Sequence, residues 1–405
     1  MIQRLLTLVF ILGWAGAIEG DLVPDGPGRM HGWVPEDVPV LRGIYLEDGS
    51  MCHEQWAEVL QVLGWAYLRS ARNVYNGNHG ALLRSTVNHL AERTGHPELP
   101  NLPFCTMGYS RFSGIHKIVI EGYPNQLLTF ANGWDLGANE SEGLRTPNVK
   151  VANEIEDLFS MDRSRGAQSL GPPWNRAEKG PLRCFHIAWR MGHSNWIVQN
   201  FMMAYQDQLH RLRVPADWDP LKGPPKLRVI TEPEGWLADN SGFWRPVKEP
   251  VADDLLIAAY ADYPAERRAF ASWLPDRETA WLYRAACSRY PWGKFTQPCE
   301  PWLETSPTGV HNALGLKAGT PAPVSIRLDI PDAAKVELFA WSQPVGSTTT
   351  FIGGELGTTR NATASLTWTP SSSRIWPLLA KVTRTDGRTG WLHPIVLPVH
   401  PAREL

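Results

Sequence analysis

At 405 residues the chain is long enough for two domains, or for one large domain with an appendage. Charged residues make up 20% and the formal net charge is -2, which excludes the basic field of a nucleic-acid binder, and 43% hydrophobic content excludes a globally disordered chain. The 19 tryptophans fit either a large core or a sugar-stacking cleft, and composition does not separate the two.

The opening stretch "MIQRLLTLVFILGWAGAIEG" combines Arg4, an apolar run too short to span a bilayer, and the small residues Ala15-Gly16-Ala17. It reads as a secretory signal peptide over 1–17, which implies a secreted or periplasmic protein. No later run approaches the ~18 apolar residues of a membrane span, so no transmembrane segment is expected. A Pro-, Gly- and Asp-rich arm follows. The next segments read as a strand at 41–47, a helix at 53–64 with Trp56, Val59, Leu60 and Leu63 on one face, and a strand at 65–71. A helix at 81–95 carries the stripe Leu83, Val87, Leu90 and Ala91, and Gly95 closes it.

After the strand "PFCTM" come a glycine-flanked turn and the helix "IHKIVIEG". Strands are then expected at 126–132, 148–153 and 182–189, and a helix at 195–212. This alternation predicts an α/β fold over 18–215, a mostly parallel sheet flanked by helices on both faces, with ligands at the carboxyl ends of its strands. Residues 216–320 form a Trp- and Pro-rich connecting region with helices expected at "AERRAFASWL" and "RETAWLYRAACSRY". From 321 to 405, short strands such as "VSIRLDI", "KVELFAWS" and "ASLTWTP" alternate with turn residues, the pattern of a C-terminal β-sandwich of immunoglobulin or fibronectin type.

The chemistry concentrates at "PFCTMGYSRFSGI", residues 103–115. A serine hydroxyl is a poor nucleophile at neutral pH and needs a base within hydrogen-bond reach and donors for the oxyanion. A strand–Gly-x-Ser–helix turn lifts the serine out of the sheet and offers the backbone N–H of the next residue, here Arg111. Gly108 stands two residues before Ser110, as that turn requires. Phe112 stands two after it where glycine is usual, so its side chain must face outward or push the helix away.

Together, "RTGHPELPNLPFCTMGYSRFSG", "NVKVANEIEDLF" and "RMGHSNW", with "GWLADN" and "SWLPDRETA" further on, resemble the α/β-hydrolase superfamily, nearest to secreted bacterial esterase-like enzymes. The resemblance covers roughly residues 41–280. It implies a triad in the chain order serine, acid, histidine. Ser110 falls on the nucleophile and His193 on the base. Glu156 aligns best with the acid, with Asp157 and Glu154 as rivals. The second oxyanion donor falls in "EDGSM", at the backbone N–H of Asp48, which requires the Glu47 and Asp48 carboxylates to point away. Such a hydrolase needs no cofactor.

His53, His79, His89 and His96 are scattered with no metal-ligand spacing, and no metal is expected. His116 falls on a helix and His186 within a strand, as core residues. None of the five cysteines forms a CxxC pair; Cys287 and Cys299 bracket a short loop and either bridge or remain buried thiols. Asn139 and Asn361 open glycan-acceptor triplets, and Trp134, Trp174, Trp189 and Trp196 fall near the expected crevice. The function these residues suggest is ester hydrolysis, including esters carried on carbohydrate. The competing readings are a catalytically silent binding protein on the same scaffold, and a serine peptidase.

Overall fold

The computed structural model describes residues 30–47, 53–70, 79–108, 115–133, 146–153, 182–188, 199–240, 255–288, 292–297, 316–353 and 362–402. The first half holds strands β1 (Met30–Trp33), β2 (Gly43–Glu47), β3 (Trp65–Ser70), β4 (Phe104–Gly108), β5 (Leu127–Gly133), β6 (Asn148–Asn153) and β7 (Arg183–Ala188). They form one sheet in the order β1-β3-β2-β4-β5-β6-β7. The edge strand β1 runs antiparallel to β3, and the other neighbours pair in parallel. Four α-helices accompany the sheet: α1 (His53–Leu63), α2 (His79–Thr94), α3 (Ile115–Gly122) and α4 (Gln199–Arg213). Every residue of β2 and β4 is buried, because both faces of the sheet are covered.

The two faces are covered differently. On one, Ile44, Leu46, Leu68, Phe104 and Phe130 form a closed core with α2 (Leu83, Val87, Leu90) and α3 (Ile115, Ile118, Val119). The two helices meet where Gly80 lies against α3. A Cβ at Gly80 would stand 2.7 Å from the Glu121 carbonyl carbon and the Gly122 nitrogen, so only glycine permits this approach. On the other face, Tyr45, Tyr67, Met107, Val149 and Phe185 meet Trp56 and Leu60 of α1 and Phe201, Met202 and Tyr205 of α4. Trp56 Nε1 donates to Gln199 Oε1 at 3.2 Å, tying α1 to the start of α4.

Beyond β7, strands β8 (Trp236–Ala238), β9 (Ile257–Ala259) and β10 (Ser272–Leu274) make a small antiparallel sheet in the order β10-β8-β9. The segment "AERRAF", expected as α-helix, is instead a 3-10 turn at Ala265–Phe270 leading into β10. Its run of large residues ends in a tryptophan that the sheet buries as strand, and tertiary burial overrides local helix propensity. Helix α5 (Arg277–Ala286) starts at Asp276, whose Oδ1 accepts from the Thr279 backbone N–H at 2.8 Å. Ser272 Oγ lies 3.0 Å from both the N and the O of Phe185, and Tyr283 OH donates to the same carbonyl at 2.6 Å. These side chains occupy main-chain groups on the buried outer edge of β7, the last strand of its sheet.

The C-terminal strands are β11 (Gly293–Gln297), β12 (Leu316–Lys317), β13 (Ala322–Leu328), β14 (Ala333–Ala340), β15 (Gln343–Thr348), β16 (Phe351–Ile352), β17 (Thr363–Trp368), β18 (Arg374–Arg384), β19 (Thr389–Trp391) and β20 (Ile395–His400). One sheet has the order β11-β13-β17-β16 and the other β12-β20-β18-β14-β15, with β19 beside β18. Strand β13 alternates as a half-buried strand should, with Ala322, Val324, Ile326 and Leu328 inward. Strand β11, from the stretch read as connecting region, pairs with β13. Strand β18 is buried without a break from Ile375 to Ala380. Its strand neighbours and helices α1, α4 and α5 together cover both sides.

The buried apolar cluster on the second face therefore runs without interruption from Tyr45 through α4 and α5 to Val399 of β20. Polar contacts cross the same seam. Asn200 Oδ1 accepts from the Val396 backbone N–H at 2.9 Å, and Glu278 accepts from Ser342 N and Oγ at 2.6 and 2.8 Å. Trp281 of α5 packs against Phe339 and Trp391, with Arg284 over both indoles.

This architecture corrects the expected fold class. The chain as a whole is not a mostly parallel α/β sheet flanked by helices with an appended module. Among the described residues twenty strands stand against five α-helices, and they fall into four sheets. Outside the seven-stranded sheet, which is itself mixed at β1, pairing is antiparallel except at the two-residue edge of β12 on β20. The physical reason is connection length. Helix–strand alternation stops near residue 213, and the short turns that follow join antiparallel neighbours.

Candidate active-site rim

Because β2 to β7 run in parallel, their last residues, Glu47, Ser70, Gly108, Gly133, Asn153 and Ala188, all lie at the same end of the sheet. The register makes this explicit: Glu47 pairs with Met107, Gly108 with Asn132, and Asn153 with Ala188. Each candidate residue follows one of these strand ends. Asp48 follows β2; Ser110 and Arg111 follow β4; Glu154, Glu156 and Asp157 follow β6; His193 follows β7. Those residues lie outside the described residues, as do Phe112, the leader, Cys52 and Cys299, Asn139 and Asn361, and Trp134, Trp174, Trp189 and Trp196. The described structure brings together the strand ends that carry the candidates, not the candidate side chains.

The described side chains beside this rim have defined partners. Glu47 is fully buried and accepts a hydrogen bond from Tyr67 OH on β3. Strand β3 is on the opposite side of β2 from β4, so the Glu47 carboxylate is drawn away from the Ser110 strand. Burial, and then the Glu47 charge, push the Tyr67 phenol far above its ordinary range, so it remains a donor at all working pH values. Tyr45 stacks on Tyr67 with ring centroids 6.3 Å apart and donates to Met107 Sδ at 3.3 Å. Nothing in the sequence marks the Glu47–Tyr67 pair except register, since Tyr45 faces Tyr67 and Glu47 faces Arg69.

His186, on the strand that leads to His193, is wholly buried against Phe201 and Tyr283, at 5.0 and 6.2 Å between ring centroids. Neither ring nitrogen has a hydrogen-bond partner among the described residues. Desolvation, with a smaller contribution from His393, lowers its pKa to about 3, so it is neutral at physiological pH. His116 on α3 is also buried, stacked on Phe130 at 4.3 Å. Both are core residues. Cys105, Cys184 and Cys287 are buried, and burial raises the Cys105 and Cys184 thiols well above their usual range. Among the described residues no group of three or more His, Cys, Asp or Glu is placed to hold a metal, and no helix is long and apolar enough to cross a membrane.

No family model matches the chain, and no curated protein is significantly similar to it. Among solved structures it is similar to a zinc-bound, cold-adapted esterase from an Arctic intertidal metagenomic library, at 11% identity over 46% of this chain and 98% of that one, with a TM-score of 0.30. The native structure of that esterase gives 12% identity, 47% and 97% coverage, and a TM-score of 0.28. Fibronectin(III)-like modules of Clostridium thermocellum CbhA match at 21% identity over 21% of this chain and 82% of that one, with a TM-score of 0.17. At TM-scores this low neither likeness specifies a shared fold or an activity.

Proposed function

We propose that this chain is an exported serine hydrolase that cleaves carboxylic esters through an acyl-enzyme. Ser110 Oγ attacks the ester carbonyl. His193 takes the hydroxyl proton and returns it to the leaving alcohol. Glu156, or its neighbour Asp157, orients and stabilises the imidazolium, and the backbone N–H groups of Arg111 and Asp48 receive the oxyanion. Water then hydrolyses the acyl-serine by the same proton path. No cofactor enters this cycle.

One observation supports the reading above the rest: β2, β4, β6 and β7 end at one rim, so the chain sets out from that rim toward all four positions. The distances are compatible with a triad. Strand β7 is three places from β4, about 14 Å at ordinary strand spacing. His193 lies five residues beyond Ala188, a reach of up to roughly 17 Å. The commitment of the Glu47 carboxylate to Tyr67 supports it further, because a free carboxylate at the end of β2 would oppose an oxyanion there.

The test is labelling with a fluorophosphonate probe followed by mapping of the adduct. The expected result is a single adduct on Ser110, absent in Ser110→Ala and slowed at least a hundred-fold in His193→Ala. A folded protein that stays unlabelled, or that labels at another residue, overturns the proposal and favours the silent binding protein.

A further inference from the structure

A cleft of about 440 Å³ opens at the opposite end of the seven-stranded sheet, within the range of small-ligand sites. It is built from segments far apart in sequence: Arg42 ahead of β2, Leu63 and Trp65 at the α1–β3 turn, Asp207 to Val214 at the end of α4, and Ser373 and Arg374 at the start of β18. Its floor is apolar and its wall is cationic. Three arginines, Arg42, Arg211 and Arg374, line it with one carboxylate, Asp207, an excess of two cationic side chains in the lining; the Arg42 guanidinium lies over the Trp218 ring and its Nη1 donates to the Trp218 carbonyl at 3.4 Å. Burial lowers the pKa of the fifth titratable group, His210, whose Nε2 lies 2.8 Å from the Arg42 carbonyl oxygen.

The arginines are not all explained by structure. Arg211 Nε donates to both oxygens of Asp207, at 3.1 and 3.0 Å. Arg374 lies between the indoles of Trp341 and Trp376, 5.3 Å from each, and its Nη2 is 3.8 Å from Asp207, beyond hydrogen-bond range. Its Nε and Nη2 are buried and find no hydrogen-bond acceptor among the described residues. Burial and then Arg211 both work against its charge. Asp276 and Glu278 also act on Arg374 through space, but neither lines the cleft. Asp276 caps α5, and Glu278 is taken by Ser342. Arg374 lines the cleft with the part of its side chain that stays exposed, beside Arg211 and next to apolar side chains, a setting that suits an oxyanion carried on an apolar body.

The geometry points to a binding site in this cleft for a small dianionic ligand, a phosphoryl-type group on an aromatic or aliphatic body, held by Arg374 and Arg211 across the seam between α4 and the C-terminal sheets. The inference is independent of the hydrolase reading, since it uses the other end of the sheet. A ligand there would bridge the two halves of the chain and stabilise their contact.

Thermal unfolding of the full chain at constant ionic strength tests this, with phenyl phosphate, benzoate and inorganic phosphate as probes. Phenyl phosphate is expected to raise Tm saturably and at the lowest concentration. Arg211→Gln and Arg374→Gln should each raise its half-saturating concentration about ten-fold or more, the loss of one charge-assisted hydrogen bond. Arg388→Gln, in the exposed turn beyond the far end of β18, should leave it unchanged. If Arg374→Gln does not fold, Arg211→Gln decides, because the Arg211 side chain is 45% exposed. The proposal is overturned if no probe gives a saturable rise, or if both cleft variants respond like the wild type. Tighter binding of benzoate than of phenyl phosphate would overturn the dianion assignment.

Discussion

The two faces of the seven-stranded sheet are closed in different ways. One is sealed by α2 and α3, whose stripes lie within about forty residues of each other, and its core ends there. The other is covered by α1 and α4, but its apolar cluster continues through α5 into β18 and β20. The first is a local solution. The second depends on segments some two hundred residues away, as the Asn200–Val396 bond shows. The C-terminal sheets are thus part of the wall of the main core rather than a module strung beside it, and disturbances should spread differently from the two faces.

The largest expected effect is on the second face. Phe201 is fully buried at the centre of the continuous cluster, in ring contact with His186, Tyr205 and Tyr283. Phe201→Ala should cost about 3–5 kcal/mol in denaturant unfolding. Hydrogen exchange should show lost protection in β18 and β20 as well as in β6 and β7. Unchanged protection in β18 and β20 would break the comparison and make the sandwich an independent unit.

A second effect concerns acid. His186 has a folded-state pKa of about 3, against roughly 6.5 unfolded. Below pH ~6.5 the unfolded chain takes up a proton that the folded chain refuses, so stability is intact above that pH and falls as pH drops toward 3. The slope approaches about 1.4 kcal/mol per pH unit for this one group. His186→Gln should flatten the acid limb by about one proton between pH 6 and pH 4, read from unfolding free energies at each pH. An unchanged slope would mean that His186 stays accessible to protons in the fold.

The smallest effect belongs to the local face. Gly95 ends α2 at φ +73°, where an added Cβ meets nothing within 4 Å. Gly95→Ala should therefore cost only the backbone strain of that conformation, about 1–2 kcal/mol. The loss of exchange protection should be confined to α2 and α3.

Much of this architecture was legible from periodicity. Helix α2 was readable from Leu83, Val87 and Leu90 at helical spacing, with Gly95 in the left-handed cap that only glycine adopts cheaply. Strands β13, β14 and β17 were readable from alternation between turn residues. The candidate rim was readable in part, since parallel strands put the starts of the 48, 110, 156 and 193 segments at one edge. The Glu47–Tyr67 pair was not, because a cross-strand partner is set by register and not by neighbours in sequence. Nor was β10, where a helix-compatible stretch is held as strand by its pairing with β8.

By itself the sequence determined which residues must be buried and with what local period, because side-chain direction along a strand or helix follows from backbone geometry alone. It marked Ser110 as a serine following a strand and a glycine. Only the tertiary structure decided what covers each buried face, why β18 is buried without a break from Ile375 to Ala380, and that Arg42, Arg211 and Arg374 line one cleft. Burial is a property of a residue and its period, whereas contact is a property of two distant segments, and hydrophobic attraction carries no address by which one could name the other.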